Sequence, residues 1–354
     1  MSVSHLFRKE ILESPGYSVA HVEDAIKLNQ NECPWDLPVE LKVAITEKLI
    51  KTDFNRYPLA DPLVLKKKIA KANDVLTDQV SVAPGSNILI QALVHATSYR
   101  GKGKVLVVDP TFVVYELQAQ VFGCQVIKVP LDENFQLPHD AVIAAIKKEN
   151  PSVIFIPNPN APTGNLFAKE GLYKIVRAAQ CLTVLDEAYY PYSNETLINW
   201  LSEFPHLLIL RTLSKAFALA GVRLGYAMAD TEVIFQLEKA LMPFCVSNVT
   251  CAIAGEVLDH PEYVENYGKK VLKERRKLFE ELQKFKNLTA YPSDANFILV
   301  RIENAKRIAR ELKAKGVLVR DVDDGRRLKE CLRVSVGAPD DNQTFLKALK
   351  EIFK

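Results

Sequence analysis

The chain has 354 residues, 48% of them hydrophobic and 25% charged, with a net charge of +3. That length supports a full core and two domains, one large and one small, and the composition is that of a soluble globular protein rather than a disordered one. Acids and bases are mixed along the sequence, and the basic clusters Lys66-Lys67-Lys68 and 273–277 read as solvated helix faces, not as a nucleic-acid footprint.

Residues 1–30 form a mixed arm with a Pro15-Gly16 turn ahead of Tyr17, followed by a polar loop, Leu28-Asn29-Gln30-Asn31-Glu32-Cys33-Pro34-Trp35. Apolar spacing predicts a helix over 39–51, and Arg56-Tyr57-Pro58 is extended, because the residue before proline avoids the helical region. Beyond residue 80, β-rich runs at 105–108, 126–129, 153–156, 182–185, 207–210 and 225–229 alternate with helical stretches at 87–98, 111–122, 138–148 and 168–180. Strands apolar on both faces and joined by helices imply an α/β domain, its mostly parallel sheet flanked by helices. After about 245 the pattern changes to a long charged helix at 261–286, strands at 296–302, 317–319 and 332–336, a helix at 304–315 and a last helix from Asp340. The expected division is an arm, 1–35, joining a small α+β domain, 246–354, with the large domain at 36–245.

The six cysteines (33, 124, 181, 245, 251 and 331) are scattered without a CxxC, which argues against a zinc site and for reduced thiols. Residues 1–10 lack an apolar leader core, and no apolar run approaches membrane-spanning length. The expectation is a cytoplasmic protein with no membrane, nucleic-acid or metal partner.

In open α/β sheets ligands bind beyond the carboxyl ends of the strands, and several reactive residues fall there. Lys215 follows strand 207–210 in Thr212-Leu213-Ser214-Lys215, with Arg223 eight positions on. A desolvated lysine becomes nucleophilic, and hydroxyls with an arginine suit an anion such as phosphate. Asp186 ends strand 182–185, with Tyr189 three residues later. Gly85-Ser86-Asn87 opens a helix, either as an ordinary cap or as an anion site. Asn158-Pro159-Asn160-Ala161-Pro162-Thr163-Gly164 is a rigid polar turn after strand 153–156, and Phe112 offers a ring face at a helix start. A nucleophilic lysine, a buried acid for a ring nitrogen, a hydroxyl, an aromatic platform and a phosphate cup together match what pyridoxal phosphate requires.

These motifs, together with Ser293-Asp294-Ala295-Asn296-Phe297, Val319-Arg320-Asp321 and Leu332-Arg333-Val334-Ser335-Val336-Gly337, resemble the pyridoxal-phosphate aminotransferases of fold type I, above all the histidinol-phosphate aminotransferases. The resemblance implies that Lys215 holds the cofactor covalently and moves the proton, Asp186 pairs with the ring nitrogen, and Tyr189 bonds the phenolic oxygen. It implies a phosphate site of Ser86, Asn87, Thr212, Ser214 and Arg223, with Tyr57 reaching it from the partner subunit of a homodimer. It places Phe112 and Asn160 on the cofactor, Arg333 and Asn31 on the substrate, and Arg320 with Tyr17 on a distal phosphate. The chain departs from the family's usual pattern in three places: Asn87-Ile88 in the phosphate turn, Phe112 for tyrosine, and Ala161 for an asparagine that bonds the phenolic oxygen. The implied reaction moves an amino group from L-glutamate to imidazole-acetol phosphate, giving L-histidinol phosphate and 2-oxoglutarate. Aromatic aminotransferases and threonine-phosphate decarboxylases share nearly all these residues.

Overall fold

The computed structural model describes residues 3–14, 16, 22–98 and 103–354. Its first eight strands are β1 (Ile26–Leu28), β2 (Val80–Ala83), β3 (Lys104–Asp109), β4 (Gln125–Pro130), β5 (Val153–Pro157), β6 (Leu182–Asp186), β7 (Leu207–Thr212) and β8 (Gly225–Ala229). The last four are β9 (Leu288–Ala290), β10 (Phe297–Ile302), β11 (Val317–Asp321) and β12 (Cys331–Ser335).

Seven strands form one sheet in the order β2-β8-β7-β6-β5-β3-β4. The five from β4 to β7 run parallel, and β8 runs antiparallel to both β7 and β2. Alternation along each strand explains why the sheet is covered twice. Leu106, Ile154, Leu185 and Ile209 face one core, whereas their chain neighbours Val105, Val153, Val184 and Leu208 face another. Each such side chain contributes roughly 1.5–3 kcal/mol by burial. The reversal at β8 has a local cause. A parallel return needs a crossover, usually helical, and the β7–β8 connection carries only the short turn Ala220–Val222. The chain therefore comes straight back, with Gly225 opposite Thr212.

The second sheet has the order β1-β11-β12-β10-β9. Phe297, Leu299 and Cys331 pack into the larger core, and Ile298, Val300 and Val334 pack against Leu278, Ile308 and Phe345 on the other side. Strand β1, which the sequence reading left inside a mixed arm, pairs in parallel with β11 from Ile26↔Val317 to Leu28↔Val319.

Also beyond the sequence reading are β2, β9 and the helices Leu63–Asn73, Thr231–Glu238 and Asn248–Leu258. The first of these corrects the expectation of a solvated basic cluster. Lys66 is buried and pairs with Asp61 at 3.1 Å and Glu238 at 3.0 Å, and Lys68 donates to the carbonyl of Gly255 at 2.8 Å. No helix of the described residues is long and apolar enough to cross a membrane.

Candidate active site

The carboxyl ends of β6 and β7 and the start of helix Ser86–Thr97 converge on a cleft of about 310 Å³, lined by Asn31, Phe112, Asp186, Tyr189, Lys215 and Arg223 among others. A neighbouring hollow of about 270 Å³ shares Phe112, Ala161 and Arg333 with it and adds Arg320.

Asp186 is buried at the last position of β6. One carboxylate oxygen accepts from the Tyr115 hydroxyl at 2.6 Å, and the other accepts from the Ala188 amide at 3.0 Å. Burial raises its pKa to about 6, against the lowering effect of these two hydrogen bonds. No cationic side chain among the described residues forms an ion pair with it.

Lys215 lies in the tight β7–β8 connection and donates to the carbonyl of Gln30 at 2.8 Å. Desolvation lowers its pKa to about 7, with Arg333 and Arg223 adding repulsion and Glu32 opposing it. A substantial share of the amine is therefore neutral near pH 7, the state a nucleophile or proton acceptor requires.

The anion cradle depends on close backbone approach. Helix Ser86–Thr97 begins at Ser86 itself, so its cap is Gly85, at φ 86° with no side-chain cap bond, rather than Ser86 or Asn87. Ser86 and Asn87, at the start of this helix, line the cleft, while the Ile88 amide donates to the Gly85 carbonyl at 3.2 Å. A Cβ at Gly85 would stand 2.6 Å from Arg223 Nη2, and one at Gly225 would stand 2.2 Å from the amide nitrogen of Ser86. Only glycine lets the two loops meet. Arg223, itself left-handed at φ 57°, donates to Ser214 Oγ at 3.3 Å and to the Ala220 carbonyl at 3.0 Å. Thr212 Oγ1 accepts from the Ser214 amide at 3.1 Å. Three hydroxyls (Ser86, Thr212 and Ser214), a guanidinium and helix-start amides form a set suited to a phosphate.

Tyr189 accepts a hydrogen bond at its hydroxyl from Asn31 Nδ2 at 2.9 Å. Asn31 is buried in a left-handed conformation (φ 54°) and is fastened to the second sheet. Its amide donates to Ser335 Oγ at 2.8 Å, that hydroxyl donates back to its Oδ1 at 3.1 Å, and Asn296 donates to its carbonyl at 2.9 Å. Arg333 donates to the carbonyl of Asn29 at 3.0 Å and sits over the Phe297 ring. Arg320 stands directly opposite Arg333 in the β11–β12 register.

The structure thus gathers most of the residues singled out in the sequence. Asn160 is not gathered: its side chain donates to Thr163 Oγ1 at 2.7 Å and to the Pro110 carbonyl at 3.1 Å, while Ala161 lines the cleft. Tyr57 is 84% exposed, packed against Phe244 and away from the cleft's lining. Tyr17 lies outside the described residues. Tyr115 and the Gln30 carbonyl were missed. Tyr115 is three residues past Phe112 on one helical turn, a spacing that pointed to a shared face.

The model of the family "Aminotransferase class I and II" matches residues 23–351. A histidinol-phosphate aminotransferase from Chromobacterium violaceum is 37% identical over 100% of this chain and 99% of its own length. Histidinol-phosphate aminotransferase 2 from Nitrosococcus oceani is 38% identical over 98% of this chain and 97% of its own. Among solved structures, histidinol-phosphate aminotransferase from Sinorhizobium meliloti in complex with pyridoxal-5'-phosphate superposes with a TM-score of 0.88, covering 98% of this chain and 97% of that one. At 21% identity that likeness speaks to the fold alone.

Proposed function

We propose that this chain, which belongs to the aminotransferase class I and II family and is a transaminase of the histidinol-phosphate aminotransferase branch, uses pyridoxal 5'-phosphate to move an amino group between L-glutamate and imidazole-acetol phosphate. The products are 2-oxoglutarate and L-histidinol phosphate. When bound, the cofactor supplies an aldehyde that takes up the amine and a ring that withdraws electrons from the substrate's α-carbon.

The residues fit that group. Asp186 is a buried carboxylate without an ion-pair partner among the described residues and so suits a protonated ring nitrogen. Phe112 would offer the ring a face, Tyr189 would bond its phenolic oxygen, and Ser86, Asn87, Thr212, Ser214 and Arg223 would hold its phosphate; all of them line the cleft. Lys215, an amine whose pKa is lowered to about 7 by desolvation, would hold the cofactor and would move the proton at the substrate's α-carbon. Ala161 presents only a methyl to the cleft, so Tyr189, held by Asn31, would be the main donor for the phenolic oxygen.

The observation that carries the substrate reading is the pair Arg320 and Arg333, in register on adjacent antiparallel strands and lining one hollow. Like charges directly opposite destabilise a sheet, and the anionic group of either substrate relieves that cost. Arg333, nearer the cleft, takes the α-carboxylate of glutamate, and Arg320 takes the distal phosphate. Charge-assisted contacts of roughly 1.5–3 kcal/mol each give histidinol phosphate an expected advantage over histidinol on the order of 10³ in kcat/KM. Arg320→Ala should shrink that ratio and leave the half-reaction with glutamate much less affected. Equal rates with phenylalanine would replace the reading with an aromatic aminotransferase. Release of carbon dioxide from threonine phosphate without a keto acid would replace it with a lyase.

The proposal includes a homodimer, with Tyr57 serving the partner's phosphate site and residues 1–35 joining the small domain 246–354. Its support is the exposure of Tyr57, Phe54 and Met242 and the pairing of β1 with β11. Sedimentation of the active protein as a monomer would remove the dimer.

A further inference from the structure

The buried hydroxyl of Tyr115 is used by none of the roles assigned above. Tyr115 is fully buried, and its ring lies parallel to Phe155 at 4.9 Å and edge-on to Phe112 at 5.5 Å. With the ring packed in this way, its oxygen donates to Asp186 Oδ2 at 2.6 Å. Burial and then the charge of Asp186 hold the phenol far above its ordinary pKa, so it stays protonated and acts only as a donor. The helix Val113–Val121, capped by Phe112, therefore carries in one turn both a ring platform and the donor that fixes the carboxylate.

We propose that Tyr115 is a positioning residue for the cofactor's ring nitrogen: its hydroxyl aims the Asp186 carboxylate and stabilises its anionic form, so that the shared proton rests on the ring. The inference rests on the reading of the cleft as a pyridoxal-phosphate site. A carboxylate has about four lone-pair sites. Tyr115 occupies one on Oδ2, and the Ala188 amide occupies one on Oδ1. The remainder can serve the ring's N–H. Hydrogen bonds to the charged form favour that form, and neutral donors here do so without the competing cation that would displace a pyridinium. Phe112 touches Tyr115, so a shift of the platform and a shift of the carboxylate are coupled through one side chain.

The test uses holoenzyme reconstituted with cofactor carrying ¹⁵N in the ring, whose chemical shift reports whether that nitrogen is protonated. In Tyr115→Phe the resonance should move toward the neutral-pyridine position, and the cofactor should bind about tenfold or more weakly, as expected for loss of one hydrogen bond to a charged group. Phe155→Leu disturbs the same packing but keeps the hydroxyl, and should leave the ¹⁵N shift in place. Replacing Tyr115 with 3-fluorotyrosine, a more acidic donor in the same ring, should keep the nitrogen protonated even where Tyr115→Phe does not. A ¹⁵N shift unchanged in Tyr115→Phe, with stability lowered as in Phe155→Leu, would overturn the proposal and reduce Tyr115 to packing. Parent protein that takes up no cofactor would instead overturn the underlying reading, and the proposal with it.

Discussion

Two carboxylates follow one another at the end of β6, and they face opposite worlds. Glu187 is buried in a closed network: Arg211 donates to its Oε2 at 3.0 and 2.7 Å, Thr196 donates at 2.8 Å, and the Leu197 amide donates to Oε1 at 2.6 Å. Arg211 also bonds Asn73 and Thr196 and lies 3.6 Å above the Tyr190 ring. Asp186, also buried, receives a phenol and an amide and no cation among the described residues. The first charge is balanced inside the fold; the second has no ion-pair partner among the described residues. Adjacent side chains at a strand end point to opposite faces, so one step along the chain separates a structural acid from a binding one.

Substituting these neighbours one at a time sets the contrast at its sharpest. Asp186→Asn should lower turnover by about two to four orders of magnitude, because breaking a buried ion pair costs roughly 3–5 kcal/mol. Steady-state kinetics would measure it, and a loss no greater than in Glu187→Gln would mean the two roles are not separate. Glu187→Gln should act on stability instead. It strands the buried Arg211 charge, for an expected loss of about 3–5 kcal/mol in urea unfolding, with turnover of the folded fraction little changed. An unfolding midpoint equal to the parent's would show that the network is not a stabilising one.

The smallest effect is also the most specific, and its sign differs between the neighbours. Without cofactor, burial raises Asp186 from its ordinary 3.8 to about 6. The folded state then keeps a proton that the unfolded chain releases, so stability falls as pH rises from about 4 to about 6 and stays lower above that. Asp186→Asn removes the titration. The cofactor-free variant should be more stable than the parent at pH 8 by on the order of 2–3 kcal/mol, with the gap closing below pH 4. A constant difference across that range would separate Asp186 from the titration. A binding acid thus costs the empty fold something that a structural acid does not.

How much of this was legible in the sequence depended on whether the signal was local. The large sheet's strands are apolar on both faces, and the runs expected at 105–108, 153–156 and 207–210 became Lys104–Asp109, Val153–Pro157 and Leu207–Thr212. Asp186 and Lys215 were visible because strand ends in such a sheet face the ligand crevice. Strand β1 was not visible: three residues carry no period, and its partner lies about 290 positions away at Val317–Val319. Lys66 looked solvated because sequence spacing does not show that Asp61 and Glu238 converge on it.

The sequence by itself determined which side chains could do chemistry and, through alternation and strand length, which ends of which strands would carry them. Only the tertiary structure decided how each charge is balanced. Burial and partners come from elements distant in the chain: Tyr115 is 71 positions from Asp186, and Asn31 is 158 from Tyr189. The same holds for Arg211, whose strand-like surroundings gave no sign that it would lock Glu187 from 24 residues away. Periodicity records which face a residue takes, whereas the field that sets its protonation is the sum over neighbours that only folding brings within a few ångströms.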